Sequence, residues 1–385
     1  MICLRLGCEY GKFDHDFDSR TVGCAHQCCS CLRRGSSRQG VTGKTGMWAE
    51  HALRVGKLDL FDANRNPQIS VIIPTLNRAE VLAQTLESLL QQSLSSERFE
   101  IVVVDDGSED ETARVVEGFC RADGPQIRYY FQDHQFKGAA SNRGVQESRA
   151  PLILMLDSDI VASSGLVEKH LHLHHRHLEL EFVVLGGVAT RASDVDLLNP
   201  AASVTGDERW GPAEWLTTAN LSVKRTFLEQ AGPFTTGLPC LEDTDMAFRL
   251  AARGMRLLYC PSAYGFHQVP LETVDQVVVS GQRYGSTLAE WLDQLPHLKG
   301  NMRYLGAGFS GGWSHLRSSP RNFVKNAVRR WLINRYTIDV VYRIARSLER
   351  RRSPSRSLFR CCSELWSFHY RSAFWQSRKN VANRD

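Results

Sequence analysis

Apolar and polar positions along the chain follow two periods in turn. Ile69-Ser70-Val71-Ile72-Ile73 and Glu100-Ile101-Val102-Val103-Val104 are nearly continuous apolar runs, the pattern of strands covered on both faces. A third run, Pro151 to Leu156, carries no charge, opens on proline and closes on Asp157. Between the first two, Val81, Leu82, Leu86, Leu89 and Leu90 recur at helical spacing within Ala79 to Gln92. Further helices are expected from about Glu109 to Cys120, from Gly138 through Asn142 to Ser148, and from Leu166 to Leu180, with a short strand near Ile127 to Phe131. This alternation, over roughly residues 68–270, predicts an α/β fold with parallel pairing and right-handed crossovers.

Both ends of the chain depart from that pattern. Residues 1–65 are rich in Gly, Ser, Arg and Cys without a sustained period, and are expected to be a poorly ordered extension. Six of the 11 cysteines lie in the first 31 residues and the rest are scattered, which is no disulfide framework and points to a reducing, cytoplasmic setting. Cys24-x3-Cys28-x2-Cys31 has an iron–sulfur spacing, but the barrel such a loop serves does not follow it. Gly43-Lys44-Thr45 lacks the strand and the upstream glycine of a phosphate-binding loop. Neither carries chemistry. No apolar run reaches the length of a membrane span, and no basic-then-apolar leader opens the chain.

Charge is distributed unevenly. The 385 residues carry a net charge of +5, yet from Arg317 onward 17 Lys and Arg stand against 4 Asp and Glu, so the remainder is acidic. Residues 315–385 form a basic tail. Within Asn322 to Arg352, Phe323, Ala327, Val328, Trp331, Leu332, Val341, Ile344 and Leu348 recur at helical steps among arginines. Two readings stand: a peripheral helix on an anionic membrane surface, or a helix packed on the body with a solvated basic face. Nothing in the pattern calls for nucleic acid.

Candidate chemistry gathers at the strand ends. The first strand is followed by Pro74-Thr75-Leu76-Asn77-Arg78, the second by Asp105-Asp106-Gly107-Ser108, and the uncharged strand by Asp157-Ser158-Asp159. C-terminal strand edges are where open α/β sheets bind ligands. Two acids one residue apart suit a hard divalent cation, and such a cation suits a phosphate. Each segment has a plainer explanation: Asp-Gly-Ser is turn chemistry, and Ser108 or Asp110 is a ready helix cap. The histidine run His170, His172, His174, His175 and His177 is read as the solvated face of an amphipathic helix.

Taken in order, Ser70 to Arg78, Val102 to Ser108, Gly138-Ala139-Ala140-Ser141-Asn142-Arg143-Gly144, the D-x-D, Thr218 to Arg225, Ala231-Gly232-Pro233-Phe234 and Leu241-Glu242-Asp243-Thr244-Asp245 to Leu250 resemble the family 2 glycosyltransferases of GT-A fold, the later segments being similar to galactosyltransferase C-terminal-like sequences. The resemblance implies a mostly parallel sheet flanked by helices over residues 66–300, with a donor half at 66–160 and an acceptor half at 161–300, and a basic helical extension. It implies that Pro74, Thr75, Asn77, Arg78, Asp105, Asp106, Asn142 and Asp157 contact the donor nucleotide. Asp159 would ligate Mn²⁺ or Mg²⁺, and His267 stands where relatives place a metal-binding histidine. Asp243 would be the base of an inverting transfer and Glu242 would fix a sugar. The plainer reading of Glu242, Asp243 and Asp245 is acids favoured at a helix N-terminus.

The function implied is non-processive transfer of a sugar from a nucleotide-diphospho-sugar, UDP-linked by preference, to a glycan or lipid-linked acceptor. Processive synthases of the family carry Q-x-x-R-W, whereas Ala327 stands at the Gln position before Arg330-Trp331. A nucleotidyltransferase is the competing enzyme, but its Gly- and Lys-containing loop after the first strand is missing. A silent partner subunit is the competing non-enzyme.

Overall fold

The structure is a computed structural model, and it describes residues 66–120, 124–178, 181–189, 208–268, 273–300, 333–350 and 356–382. The N-terminal extension with its cysteines, the Gly43-Lys44-Thr45 segment and the first part of the basic tail lie outside the described residues.

Strand β1 (Ile69–Thr75) leads to helix α1 (Ala79–Leu90), β2 (Phe99–Asp105) to α2 (Thr112–Phe119), and β3 (Gln126–Phe131) to α3 (Phe136–Glu147). Then come β4 (Leu152–Leu156), β5 (Ile160–Ala162) and α4 (Leu166–Arg176). The second half contains β6 (Phe182–Ala189), β7 (Arg209–Pro212), β8 (Asn220–Lys224), α5 (Arg225–Ala231), α6 (Glu242–Ala251) and β9 (Arg256–His267). Four more helices follow: α7 (Val274–Trp291), α8 (Pro296–Gly300), α9 (Ile338–Arg350) and α10 (Arg356–Ala382). No described helix is long and apolar enough to cross a membrane.

The described strands form one sheet in the order β3-β2-β1-β4-β8-β6-β9-β5, with β7 paired to β9. Strands β3, β2, β1 and β4 are parallel throughout, as the alternation predicts. Beyond β4 the pairing is mixed: β8 runs antiparallel to β4 and β6, while β6 and β9 are parallel. The parallel expectation therefore ends at β4. Strand β8 enters beside β4 from the opposite direction, after a connection that includes β7, so no single-helix crossover dictates its sense.

Strand side chains alternate between two cores. Ile69, Val71, Ile73, Ile101, Val103 and Leu154 pack on Leu82, Leu86 and Leu89 of α1, Val116 of α2 and Leu171 of α4. Ile72, Val102, Val104, Ile153 and Met155 pack on Ala140 of α3 and Met246, Ala247 and Leu250 of α6. Both faces are covered, so the strand sequences read as unbroken apolar runs, and each fully buried aliphatic contributes about 1.5–3 kcal/mol. At the N-terminal edge of the sheet, buried Glu100 accepts hydrogen bonds from Ser70 Oγ (2.6 Å), Arg149 N (2.6 Å) and Arg128 Nη2 (2.7 Å). That end is locked by a buried ion pair; the opposite end holds the acidic loops.

Candidate active site

The parallel registers bring the acidic loops together. Thr75 stands opposite Asp105, and Ile72 opposite Met155, so β1, β2 and β4 deliver their C-terminal ends to one edge. The loops after β1 and β2 are laced to each other. Asn77, in the left-handed region at φ 51, donates from its backbone N to Ser108 Oγ (2.7 Å) and accepts from Glu109 N at Oδ1 (2.8 Å). Asp110 caps α1 by accepting from Ala79 N (3.0 Å) and braces its own turn by accepting from the Thr112 hydroxyl and N. Burial disfavours its charge, but these hydrogen bonds outweigh that and hold its carboxyl below the usual range.

The adjacent acids after β2 have different surroundings. Asp105 is 1% exposed and accepts from Tyr129 OH (2.6 Å) and Ser108 N (2.8 Å); burial pushes its carboxyl up, against those hydrogen bonds. It braces the turn from inside. Asp106 accepts from Gln132 Nε2 (2.7 Å) and Gln135 N (2.9 Å), and its other oxygen lies 2.8 Å from His134 Nδ1. Asn142 spends both ends of its amide on the Phe234 backbone (2.8 and 2.7 Å), clamping α3 to the loop before α6. Pro74 and Thr75 are buried at the β1 end, with Asn77 and Arg78 exposed beyond them.

Asp157 and Asp159 differ in the same way. Asp157 Oδ1 lies 2.5 Å from Lys137 Nζ. Asp159 is 3% exposed; its Oδ2 pairs with Arg78 and lies 3.4 Å from His267 Nε2. The β5–β9 register makes that last contact by setting His267 opposite Ile160. Burial works against the Asp159 charge, yet His267 and then Arg78 outweigh it and hold the carboxyl down to about 2. Its Oδ1 is buried without a partner, as are the hydroxyls of Thr75, Thr217 and Thr218. Asp157 N donates to Ala219 O (3.1 Å), so the two threonines flank the same strand end. Unsatisfied buried oxygens are uncommon in folded proteins, and these four lie at the end of β1, between β4 and β5, and just before β8.

The other wall is the start of α6. Glu242 is 7% exposed, and burial, then the Asp243 charge, push its carboxyl up to about 7 while Lys137 pulls the other way. A helix N-terminus favours an ionised acid, so burial beside a like charge has won over the dipole. Half-buried Asp243 accepts from Thr244 N (2.6 Å). Asp245, fully buried, is spent on Thr235 Oγ1 (2.8 Å), Arg249 Nη2 (2.8 Å) and His297. Gly138 makes the approach of the walls feasible: a Cβ there would lie 2.4 Å from Thr235 O and 3.5 Å from Glu242 Cβ.

Lys137 escaped the sequence reading because it stands one residue before the glycine motif. Gln132 and His134 escaped it because nothing in their spacing marks them. The histidine expectation is corrected: His170 and His174 are buried. His170 Nδ1 and Nε2 lie 2.7 Å from Ser222 Oγ and 2.9 Å from Asn220 Oδ1, and His174 Nε2 lies 2.9 Å from the same Ser222 Oγ. Their i, i+4 spacing marks the core face of α4, whose polar partners come from β8. Burial pushes His170 down to about 4 and His174 to about 3, so both are neutral.

Among the described residues, no three His, Cys, Asp or Glu side chains form a ready metal cage. The residues present nevertheless fit a divalent cation: Asp159 has an unused buried oxygen and a neighbouring imidazole, and such ions commonly fill their coordination with phosphate oxygens and water.

Residues 70–201 match the family described as Glycosyl transferase family 2. The matched segment carries Asp105, Asp106, Asp157 and Asp159. Among its relatives, a validoxylamine A glucosyltransferase of Streptomyces hygroscopicus subsp. jinggangensis (strain 5008) is 30% identical over 249 residues, covering 56% of this chain and 58% of that protein. Glycosyltransferase AglE of Haloferax volcanii is 25% identical over 209 residues, covering 52% and 67% respectively. The chain thus spans little more than half the length of the validoxylamine A glucosyltransferases it matches. A solved structure, mannosyltransferase PcManGT from Pyrobaculum calidifontis in complex with GDP-Man and Mn²⁺, superposes with a TM-score of 0.52 at 17% identity, over 86% of this chain and 94% of that one. That likeness is one of fold: a GT-A sheet flanked by helices, here with a helical C-terminal extension.

Proposed function

We propose that the protein is a non-processive glycosyltransferase. It moves one sugar from a nucleotide-diphospho-sugar to a hydroxyl of a glycan or lipid-linked acceptor, with inversion at the anomeric carbon. The observation that carries this reading is the meeting, across one cleft, of the Asp106, Asp157 and Asp159 loops with Glu242 and Asp243, inside a family 2 segment whose relatives are glycosyltransferases.

In this reading residues 66–160 hold the donor. Pro74, Thr75, Asn77 and Asp106 line the nucleoside, Asp157 faces the ribose, and Arg78 faces the diphosphate. Asp105 and Asn142 act behind them, holding the turn and the helix in place. Asp159 and His267 would hold Mn²⁺ or Mg²⁺, which when bound stabilises the charge of the departing diphosphate. The Mn²⁺ bound with GDP-Man in the mannosyltransferase of like fold supports this choice of ion.

Residues 161–300 receive the acceptor. Asp243 accepts the proton of the acceptor hydroxyl as that oxygen bonds to the anomeric carbon and the bond to the diphosphate oxygen breaks. Glu242, buried beneath it, fixes the sugar. On this account Asp243→Asn loses at least about 100-fold in kcat while UDP affinity is retained, and Asp159→Asn loses Mn²⁺-dependent UDP binding in calorimetric titration. Full transfer activity in Asp243→Asn would remove it as the base. A wild-type chain that binds no nucleotide with or without Mn²⁺ would leave the silent-subunit reading.

The tail supports a membrane contact only in part. Most of the aromatic side chains of α10 are turned inward, whereas α9 exposes Val340 (55%) and Ile344 (48%) beside Arg343. We propose α9 as the surface that meets anionic lipid.

A further inference from the structure

Lys137 touches the donor edge and also acts on the acceptor acids. Its ammonium lies 2.5 Å from Asp157 Oδ1, and its charge is raised in stability by Asp157, Glu242 and Asp243 together, against burial. Gly138, its neighbour, sits against Thr235 and Glu242. The backbone is strained to achieve this. Among the described residues, three that are not glycine have positive φ: Asn77 (51), Phe136 (67) and Leu241 (80). Each immediately precedes a charged side chain of the cleft, namely Arg78, Lys137 and Glu242. For residues with a Cβ such conformations are unfavourable, and they persist where packing imposes them.

We infer that Lys137 is a positioning residue for the acceptor acids: anchored on Asp157 and facing Glu242 and Asp243, it keeps that pair able to take a proton. The inference rests on the reading of Asp243 as base. Two neighbouring carboxylates in a closed site share their protons as a pair, and with no cation nearby one of them stays protonated at neutral pH. The charges around Glu242 can be named. Asp243 on α6 and Asp157 at the end of β4 repel it, and Lys137 from α3 attracts it. One turn along, Asp245 is spent on Arg249, His297 and Thr235. From α7, Arg283 faces Cys240, whose thiol burial pushes up to about 12 and so leaves neutral. Lys137 is thus the cation by which the donor wall sets the proton affinity of the acceptor wall.

The test is a carboxyl titration of the full chain by ¹³C NMR, with Asp and Glu labelled and Glu242→Gln used for assignment. Lys137→Met raises the Glu242 midpoint by about one pH unit or more, and Lys137→Arg restores most of it. The acid limb of kcat/KM for sugar transfer moves by the same amount. A folded Met variant with an unmoved midpoint overturns the inference, and so does a moved midpoint with an unmoved acid limb. The side chain is 33% exposed, so Lys137→Gln serves if the Met variant does not fold. Full activity in Asp243→Asn is a separate failure, of the base itself, and leaves the titration to decide whether Lys137 governs the pair.

Discussion

Asp159 has one oxygen claimed twice, by Arg78 and His267, and one buried oxygen claimed by nothing. Its neighbour of the same type, Asp157, is tied to a lysine from another helix. Sequence spacing alone makes the two acids equivalent; their difference comes from partners far away in the chain. The same holds for Asp105 and Asp106, where pairing of β2 with β3 sets Tyr129 against the first. The acids were legible in the sequence as a group, and their individual duties were not. The buried histidines show the converse, a polar pattern that hid a core. Their unfolded value of about 6.5 lies above the folded values of about 4 and about 3. Their contribution is therefore complete above pH 6.5 and lost as pH falls through that value towards 4. Between pH 6.5 and 5 each costs about 2 kcal/mol. Urea midpoints at pH 7 and pH 5 should differ accordingly, and by less in His174→Gln.

Helix α3 does more than cross over from β3 to β4. It carries Lys137 at its first turn, bonded to Asp157, and Asn142 at its second, bonded to the chain that leads into α6. What sets its distance from that chain is Gly138. In Gly138→Ala the new Cβ meets Thr235 O, a backbone atom that cannot rotate away. Overpacking of this kind costs about 1–3 kcal/mol. We expect a thermal midpoint a few degrees lower and a fall in kcat/KM of at least about tenfold, since small misplacement of catalytic groups is costly. Unchanged kinetics in the folded variant would show that the spacing is not used. The elements themselves were readable wherever a strand was covered on both faces, which is why β1, β2 and β4 follow from composition alone. Strand β8 was not assigned from Asn220-Leu221-Ser222-Val223-Lys224, because its polar residues are spent on α4 rather than on solvent.

At the scale of the described chain, α10 closes the structure on α7. Gly281 and Gly285 of α7 form a groove in which the backbone of α10 lies: a Cβ at either position would fall 2.7 Å from Trp366 O and 2.1 Å from Tyr370 O. Tyr370 and Phe374 are buried there with Leu288 and Phe248, and Leu365 with Val274 and Val277. Helix α9 is tied to the same place, with Glu349 accepting from Val274 N (2.9 Å) and Tyr342 donating to Asp275 (2.5 Å). Of the two readings of the basic tail, packing describes α10, and a surface remains on α9. Binding to vesicles containing phosphatidylserine should weaken with salt and fall at least about tenfold in Val340→Glu/Ile344→Glu. Equal binding by the double variant in a flotation assay would leave α9 without a lipid role.

The glycine groove also bears on the order in which the molecule is made. Strands β1 to β4 and their helices take their core partners from elements that precede α7, so that part can close while synthesis continues. Helix α7 cannot, because its partner α10 follows far along the chain. Until α10 has left the ribosome, the apolar face of α7 is exposed, and the wall that carries Glu242 and Asp243 lacks its outer support. A ribosome stalled before α10 should therefore hold a nascent chain whose first half resists protease and whose second half does not.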